Sequence, residues 1–118
     1  MRDSVRDRGG DASLLALDPL QAAQHPDVKI VVEVMGGVEP ALSLILAAIR
    51  AGKHVVTANK EVIARHGGQI FAAAREAGVG VYYEGAVAGG IPLIMPLKRS
   101  LVGNTLTAIH GIVNGTTN

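Results

Sequence analysis

The chain has no cysteine and no tryptophan, so disulfides and thiolate metal sites are excluded; that fits a reducing, cytoplasmic setting. Aromatic residues are nearly missing as well. Phe71, Tyr82 and Tyr83 are the whole set, and Ala, Val, Ile and Leu carry the apolar content, a palette suited to close packing of helices on a sheet. Neither sign of charge dominates: 11 basic and 10 acidic residues are mixed along the chain, so no basic stripe argues for nucleic acid. No apolar run approaches the ~20 residues of a membrane span, and the opening M-R-D-S-V-R-D-R-G-G-D is charged where a secretory signal would be apolar. Neither nucleic acid nor membrane is expected as a partner. His25, His54, His66 and His110 are scattered without the spacing of a zinc site.

What is present is one domain's worth of chain, 118 residues and 48% hydrophobic. Lys29 to Met35 reads K-I-V-V-E-V-M, near-continuously apolar as in a strand covered on both faces, and Gly36-Gly37 ends it. Glu39 to Ala51 carries Ala41, Leu42, Ile45, Leu46 and Ile49 at helical spacing, with Gly52 as a stop. His54 to Thr57 is a second strand, and Asn59 is placed to cap a helix running through Arg65. Gly67-Gly68 is expected to break that helix, with another from Gln69 to Ala77. A third strand follows at Val79 to Tyr83, then a helix from Ile91 to Ser100 and a strand from Leu106 to Val113. Near the front, Ala12 to Gln24 has helical composition, interrupted by Pro19. Alternation of strands and helices with short connections argues for α/β architecture built from parallel βαβ units.

Three stretches carry chemistry. Tyr83 to Pro92, Y-E-G-A-V-A-G-G-I-P, is a strand end with one carboxylate, a glycine-rich turn and a proline fit to open a helix. Carbonyls of such a loop with Glu84 make hard oxygen ligands for a Group 1 or Group 2 cation; a tight connection with Glu84 merely solvated explains the same residues. Thr57-Ala58-Asn59-Lys60 sets a lysine at a helix start, against the dipole, at a cost of roughly 0.3–1 kcal/mol that Glu61 partly offsets. It suits an anionic or polarised ligand, or is a surface lysine. Gly111 to Asn118, G-I-V-N-G-T-T-N, can bind a small polar substrate or cap a following helix. Lys98-Arg99 reads as complementing a helix dipole, and Arg2, Arg6 and Arg8 as a solvated face.

Together, V-V-E-V-M-G-G, T-A-N-K, Y-E-G-A-V-A-G-G-I-P and G-I-V-N-G-T-T-N resemble homoserine dehydrogenase in order and spacing, from roughly Asp27 to Asn118. The resemblance implies a partial Rossmann-like parallel sheet with helices on both faces, leading into the start of an α+β substrate and dimerisation domain. Residues 1–84 would be the C-terminal part of an NAD(P)-binding domain and 85–118 the beginning of the catalytic domain. The implied activity is NAD(P)-dependent interconversion of L-homoserine and L-aspartate 4-semialdehyde, with NADP or NAD, a sodium or potassium ion, and a homodimer in the full-length enzyme. By position, Lys60 resembles the lysine that reaches the nicotinamide and substrate, and Met35 and Thr57 fall beside the cofactor. Glu84 resembles the cation's side-chain ligand, with Val87, Gly89 and Ile91 giving carbonyls, while Gly115 and Thr116 match the segment leading into the substrate domain. The chain departs from the pattern in having no G-x-G-x-x-G phosphate turn. The later aspartate and lysine that handle the alcohol proton would lie beyond Asn118. The chain alone is therefore expected to be inactive. A non-catalytic nucleotide-binding module and another Rossmann-type semialdehyde or hydroxy-acid reductase are the alternatives.

Overall fold

Three short strands rich in Val lie side by side in chain order, all parallel, in a computed structural model that describes residues 18–89 and 91–111. The elements run α1 (Pro19–Gln24), β1 (Ile30–Glu33), α2 (Ala41–Arg50), β2 (His54–Thr57), α3 (Lys60–Ala77) and β3 (Val81–Tyr82). β1 pairs with β2 from Ile30↔His54 to Glu33↔Thr57, and β2 with β3 through Val55↔Val81 and Val56↔Tyr82. Because both crossovers step in the same direction across the sheet, right-handed connection puts α2 and α3 on one face.

That face is the core. Val31, Val55 and Val81 point into it, and Ile45 and Ile49 of α2 meet Val62, Ile70 and Ala74 of α3 there. α2 is buried around most of its girth, since α1, α3 and the sheet all touch it. Each fully buried Ile or Val stabilises the fold by roughly 1.5–3 kcal/mol. The alternate residues Ile30, Val32, Val56 and Tyr82, with Val34 just beyond β1, face the other way and are 37–68% exposed. The expected sheet with helices on both faces is thus met on one face among the described residues.

Several boundaries differ from expectation, each for a physical reason. Pro19 starts α1 instead of interrupting a helix: it stands at the first helical position, where its missing N–H costs nothing, and the Asp18 carboxylate accepts from Leu20 N. Gly67 and Gly68 do not break α3, which is continuous over 18 residues. Gly67 is buried where a Cβ would come 3.2 Å from the Phe71 ring, so packing offsets the roughly 1 kcal/mol that a helical glycine costs. α3 ends at Gly78, in the left-handed conformation at φ 67°. The last helical stretch starts at Ile94 rather than Ile91, and it widens to a π-helical turn over Pro96–Ser100, where Leu101 N reaches back to the Pro96 carbonyl. Leu106 to Gly111 form no strand; Leu106 and Ile109 are exposed, and no neighbouring strand among the described residues offers a ladder. β1 and β3 are shorter than the runs Lys29 to Met35 and Val79 to Tyr83.

Candidate functional site

The carboxyl ends of β1 and β2 are joined by polar side chains, against the apolar grain of both strands. Glu33, last in β1, is 1% exposed, and so is its register partner Thr57, last in β2. Period-two alternation turns both toward the helix-covered side. One Glu33 oxygen accepts from Met35 N at 2.7 Å and the other accepts from the Thr57 hydroxyl at 2.8 Å. The Thr57 oxygen in turn accepts from Asn59 N at 3.0 Å. Asn59 caps α3, its carbonyl oxygen accepting from Val62 N at 3.2 Å, while its amide nitrogen donates to the Gly37 carbonyl at 2.6 Å. The loop after β1 and the loop after β2 therefore close one hydrogen-bonded circuit. Among the described residues Glu33 has no cation within ion-pair distance, so hydroxyl and amide donors alone satisfy it.

The edge of this circuit is open. Gly36 and Gly37 are consecutive left-handed residues, at φ 78° and 73°, and a Cβ on Gly36 would meet nothing within 4 Å, so a ligand can approach that backbone closely. Across from them α3 begins at Lys60, whose side chain is exposed and makes no ion pair among the described residues. Glu61 in the same turn pairs with Arg65 at 3.2 Å.

The loop after β3 leans on the same edge: a Cβ on Gly85 would sit 3.4 Å from the Ala58 Cβ. Glu84 opens a 3₁₀ turn over Glu84–Ala86 and turns its half-buried carboxylate onto the start of the last helix. One oxygen accepts from Leu93 N and Ile94 N and the other from Met95 N, so Glu84 caps a helix ten residues downstream. Burial pushes its carboxyl up, but the three backbone N–H groups of Leu93, Met95 and Ile94 outweigh that and hold it below the ordinary value of 4.5. Ala88 and Gly89 both adopt positive φ, 58° and 60°; for Ala88 that is a strained conformation. Tyr83 is held between Phe71, with ring centroids 4.9 Å apart, and the Lys98 ammonium, 4.9 Å from its own centroid. Lys98 thus stacks on an aromatic face rather than serving only the helix dipole.

Of the residues singled out in the sequence, Met35, Thr57 and Lys60 lie at adjoining strand ends, and Glu84, Val87, Gly89 and Ile91 lie on the neighbouring loop. Gly115 and Thr116, with Arg2, Arg6 and Arg8, lie outside the described residues. One contributor, Glu33, carries a single sequence signal, an acid inside an otherwise apolar strand run. His54, at the opposite end of β2, has a structural use: its Nδ1 accepts from Gly80 N at 2.9 Å and ties β2 to the approach of β3.

Comparison with known proteins agrees with this fold. Residues 3–84 match the family model described as homoserine dehydrogenase, NAD binding domain. A homoserine dehydrogenase of Synechocystis sp. is 63% identical over 105 residues, covering 89% of this chain and 24% of that protein. One from Mycobacterium tuberculosis is 50% identical over 118 residues, covering 100% of this chain and 27% of that one. The crystal structure of a homoserine dehydrogenase from Thiobacillus denitrificans superposes with a TM-score of 0.72 at 51% identity, over 75% of this chain and 20% of that one. The chain spans about a quarter of the length of the curated relatives it matches. Among the described residues no helix is long and apolar enough to cross a membrane.

Proposed function

Because the chain belongs to the homoserine dehydrogenase family, we propose that it supplies the nicotinamide side of an NAD(P)-binding domain through about Glu84 and opens a substrate and dimerisation domain from Gly85. One observation carries this reading: the turns after β1 and β2 are locked together at the carboxyl edge of a parallel sheet, where α/β folds bind ligands, with Gly36 and Lys60 facing outward. In a doubly wound sheet the glycine-rich first turn holds the pyrophosphate and the acid beyond it the adenosine ribose. This chain has no such turn, so the strand ends it does have fall to the nicotinamide.

The reaction assigned to the whole enzyme is hydride transfer between the nicotinamide and the hydroxyl-bearing carbon of L-homoserine, giving L-aspartate 4-semialdehyde. When bound, the cofactor supplies the hydride acceptor at C4. Met35 and the glycines after it border the ring's seat. Thr57 has its hydroxyl committed to Glu33 and Asn59, so it acts by fixing the loop that presents Lys60. Lys60 orients and polarises the reacting oxygen. None of these residues is assigned to take up the alcohol proton, so the chain alone is expected not to turn over. Glu84, with the carbonyls of Val87, Gly89 and Ile91, is proposed to hold a sodium or potassium ion. Three of the carboxylate's roughly four acceptor positions are filled by N–H groups, leaving about one for a cation. The donor set is hard oxygen throughout, and the left-handed pair at Ala88 and Gly89 reorients successive carbonyls of the loop. The full-length enzyme is read as a cytoplasmic homodimer serving threonine, methionine and isoleucine synthesis.

A chain carried to the length of its relatives and assayed with L-homoserine, NAD(P)⁺ and sodium or potassium is expected to reduce the cofactor. Turnover only with another hydroxy acid or semialdehyde would overturn the substrate assignment.

A further inference from the structure

A buried acid with no counter-ion among the described residues, at the carboxyl edge of the sheet, requires a reason. A carboxylate at 1% exposure must have its acceptor positions filled, and an apolar residue would pack there without that demand. From the circuit it closes we infer that Glu33 is a positioning residue for the nicotinamide: it sets the direction of the hydrogen bonds that hold the Met35–Gly37 turn and the Thr57–Lys60 turn in one frame. This rests on the cofactor reading above.

The argument is one of donor and acceptor count. Met35 N can only donate, and Glu33 accepts from it. The Thr57 hydroxyl has one proton, which goes to the other Glu33 oxygen, and this leaves its lone pairs free to accept from Asn59 N. Asn59 then holds the Gly37 carbonyl with its side-chain amide. The acid fixes where the Thr57 proton points, and Val62 N, donating to the Asn59 side-chain oxygen, turns the Asn59 NH₂ to Gly37. An acceptor-only group at residue 33 is the one choice that leaves every member satisfied; a glutamine of the same size is not equivalent. Its oxygen must face Met35 N, so its NH₂ meets the Thr57 oxygen, and the buried Thr57 proton loses its acceptor. The frame is then free to relax at the two turns, Met35–Gly37 and Asn59–Lys60, that border the ligand edge.

The test uses the 118-residue chain and reduced nicotinamide mononucleotide, a probe that needs no pyrophosphate turn. Amide NMR follows binding and local protection together. The wild-type chain is expected to show saturable shifts at Met35, Gly36 and Lys60. Glu33→Gln is expected to weaken binding about tenfold, the scale of one lost hydrogen bond to a charged group, with protection falling at Met35 and Asn59 while the core around Ile45 and Ile70 keeps its spectrum. Thr57→Ser keeps the hydroxyl and should bind within about twofold of wild type, whereas Thr57→Val should match Glu33→Gln. Should Glu33→Gln fail to fold, the serine and valine pair decides the matter alone. Equal binding by wild type, Glu33→Gln and Thr57→Val overturns the positioning role and leaves the cofactor reading standing. A wild-type chain indifferent to the probe overturns the cofactor reading, and this inference falls with it.

Discussion

Two carboxylates stand at strand ends in this chain, Glu33 after β1 and Glu84 after β3, and they do opposite kinds of work. Glu33 lies under the helices and ties one strand end to the next; Glu84 is half-buried, reaches away from the sheet, and caps the helix that follows. Neither is paired with a cation among the described residues. The difference lies in what surrounds the partners. Around Glu33 the donors, the buried Thr57 hydroxyl and the part-buried Met35 N–H, are linked in a circuit, so a lost acceptor is felt through the frame. Around Glu84 the donors are N–H groups at the start of one short helix, two part-buried and one exposed, so a lost acceptor is felt locally.

Breaking the buried circuit should have the largest effect. Glu33→Val suits a strand and fills much of the space, yet it strands Met35 N and the Thr57 hydroxyl, so urea unfolding should show a loss of about 2–3 kcal/mol. A loss under about 0.5 kcal/mol would mean that water or a rotated hydroxyl replaces the acid, and the contrast with Glu84 would vanish. Asn59→Ala comes next. It removes the α3 cap and the bond to the Gly37 carbonyl, for about 1–2 kcal/mol, and the Met35 amide, which donates to Glu33 in the adjoining turn, should lose exchange protection along with the first turn of α3. Loss confined to α3 would show that the two turns are not coupled.

The contrast also explains what the sequence disclosed. Strands and helices announced themselves through local pattern: the β-branched run before Gly36-Gly37, the helical spacing from Ala41 to Ile49, and Asn59 ahead of α3. Glu84 was conspicuous because it stands among glycines at a strand end. Glu33 was hidden because its role depends on Thr57, 24 residues away, and on register pairing that no local pattern specifies. The continuity of α3 was hidden for the same kind of reason, since two glycines signal a break and only the Phe71 ring lying on Gly67 shows why there is none. That no helix among the described residues covers the second face of the sheet follows from strand order, which the hydrophobicity of Val32 and Val56 could not reveal.

The smallest effects belong to Glu84, and they sharpen the comparison by being local. Glu84→Gln keeps an oxygen for Leu93 N and Ile94 N but offers an NH₂ to Met95 N, so exchange protection should fall across the helix from Ile94 while the Met35 and Asn59 amides stay as they were. Acid should do the same without mutation. The folded-state carboxyl titrates below its ordinary value of 4.5, so its stabilising contribution is fully present above that value. It is lost as the pH falls through the depressed one, when the unfolded chain binds the proton more readily than the folded chain does. Amide exchange of Leu93, Ile94 and Met95 should therefore show an acid step that Glu84→Gln abolishes. A step that persists in the glutamine variant would assign the acid sensitivity to another group and leave Glu84 a cap whose charge does no work.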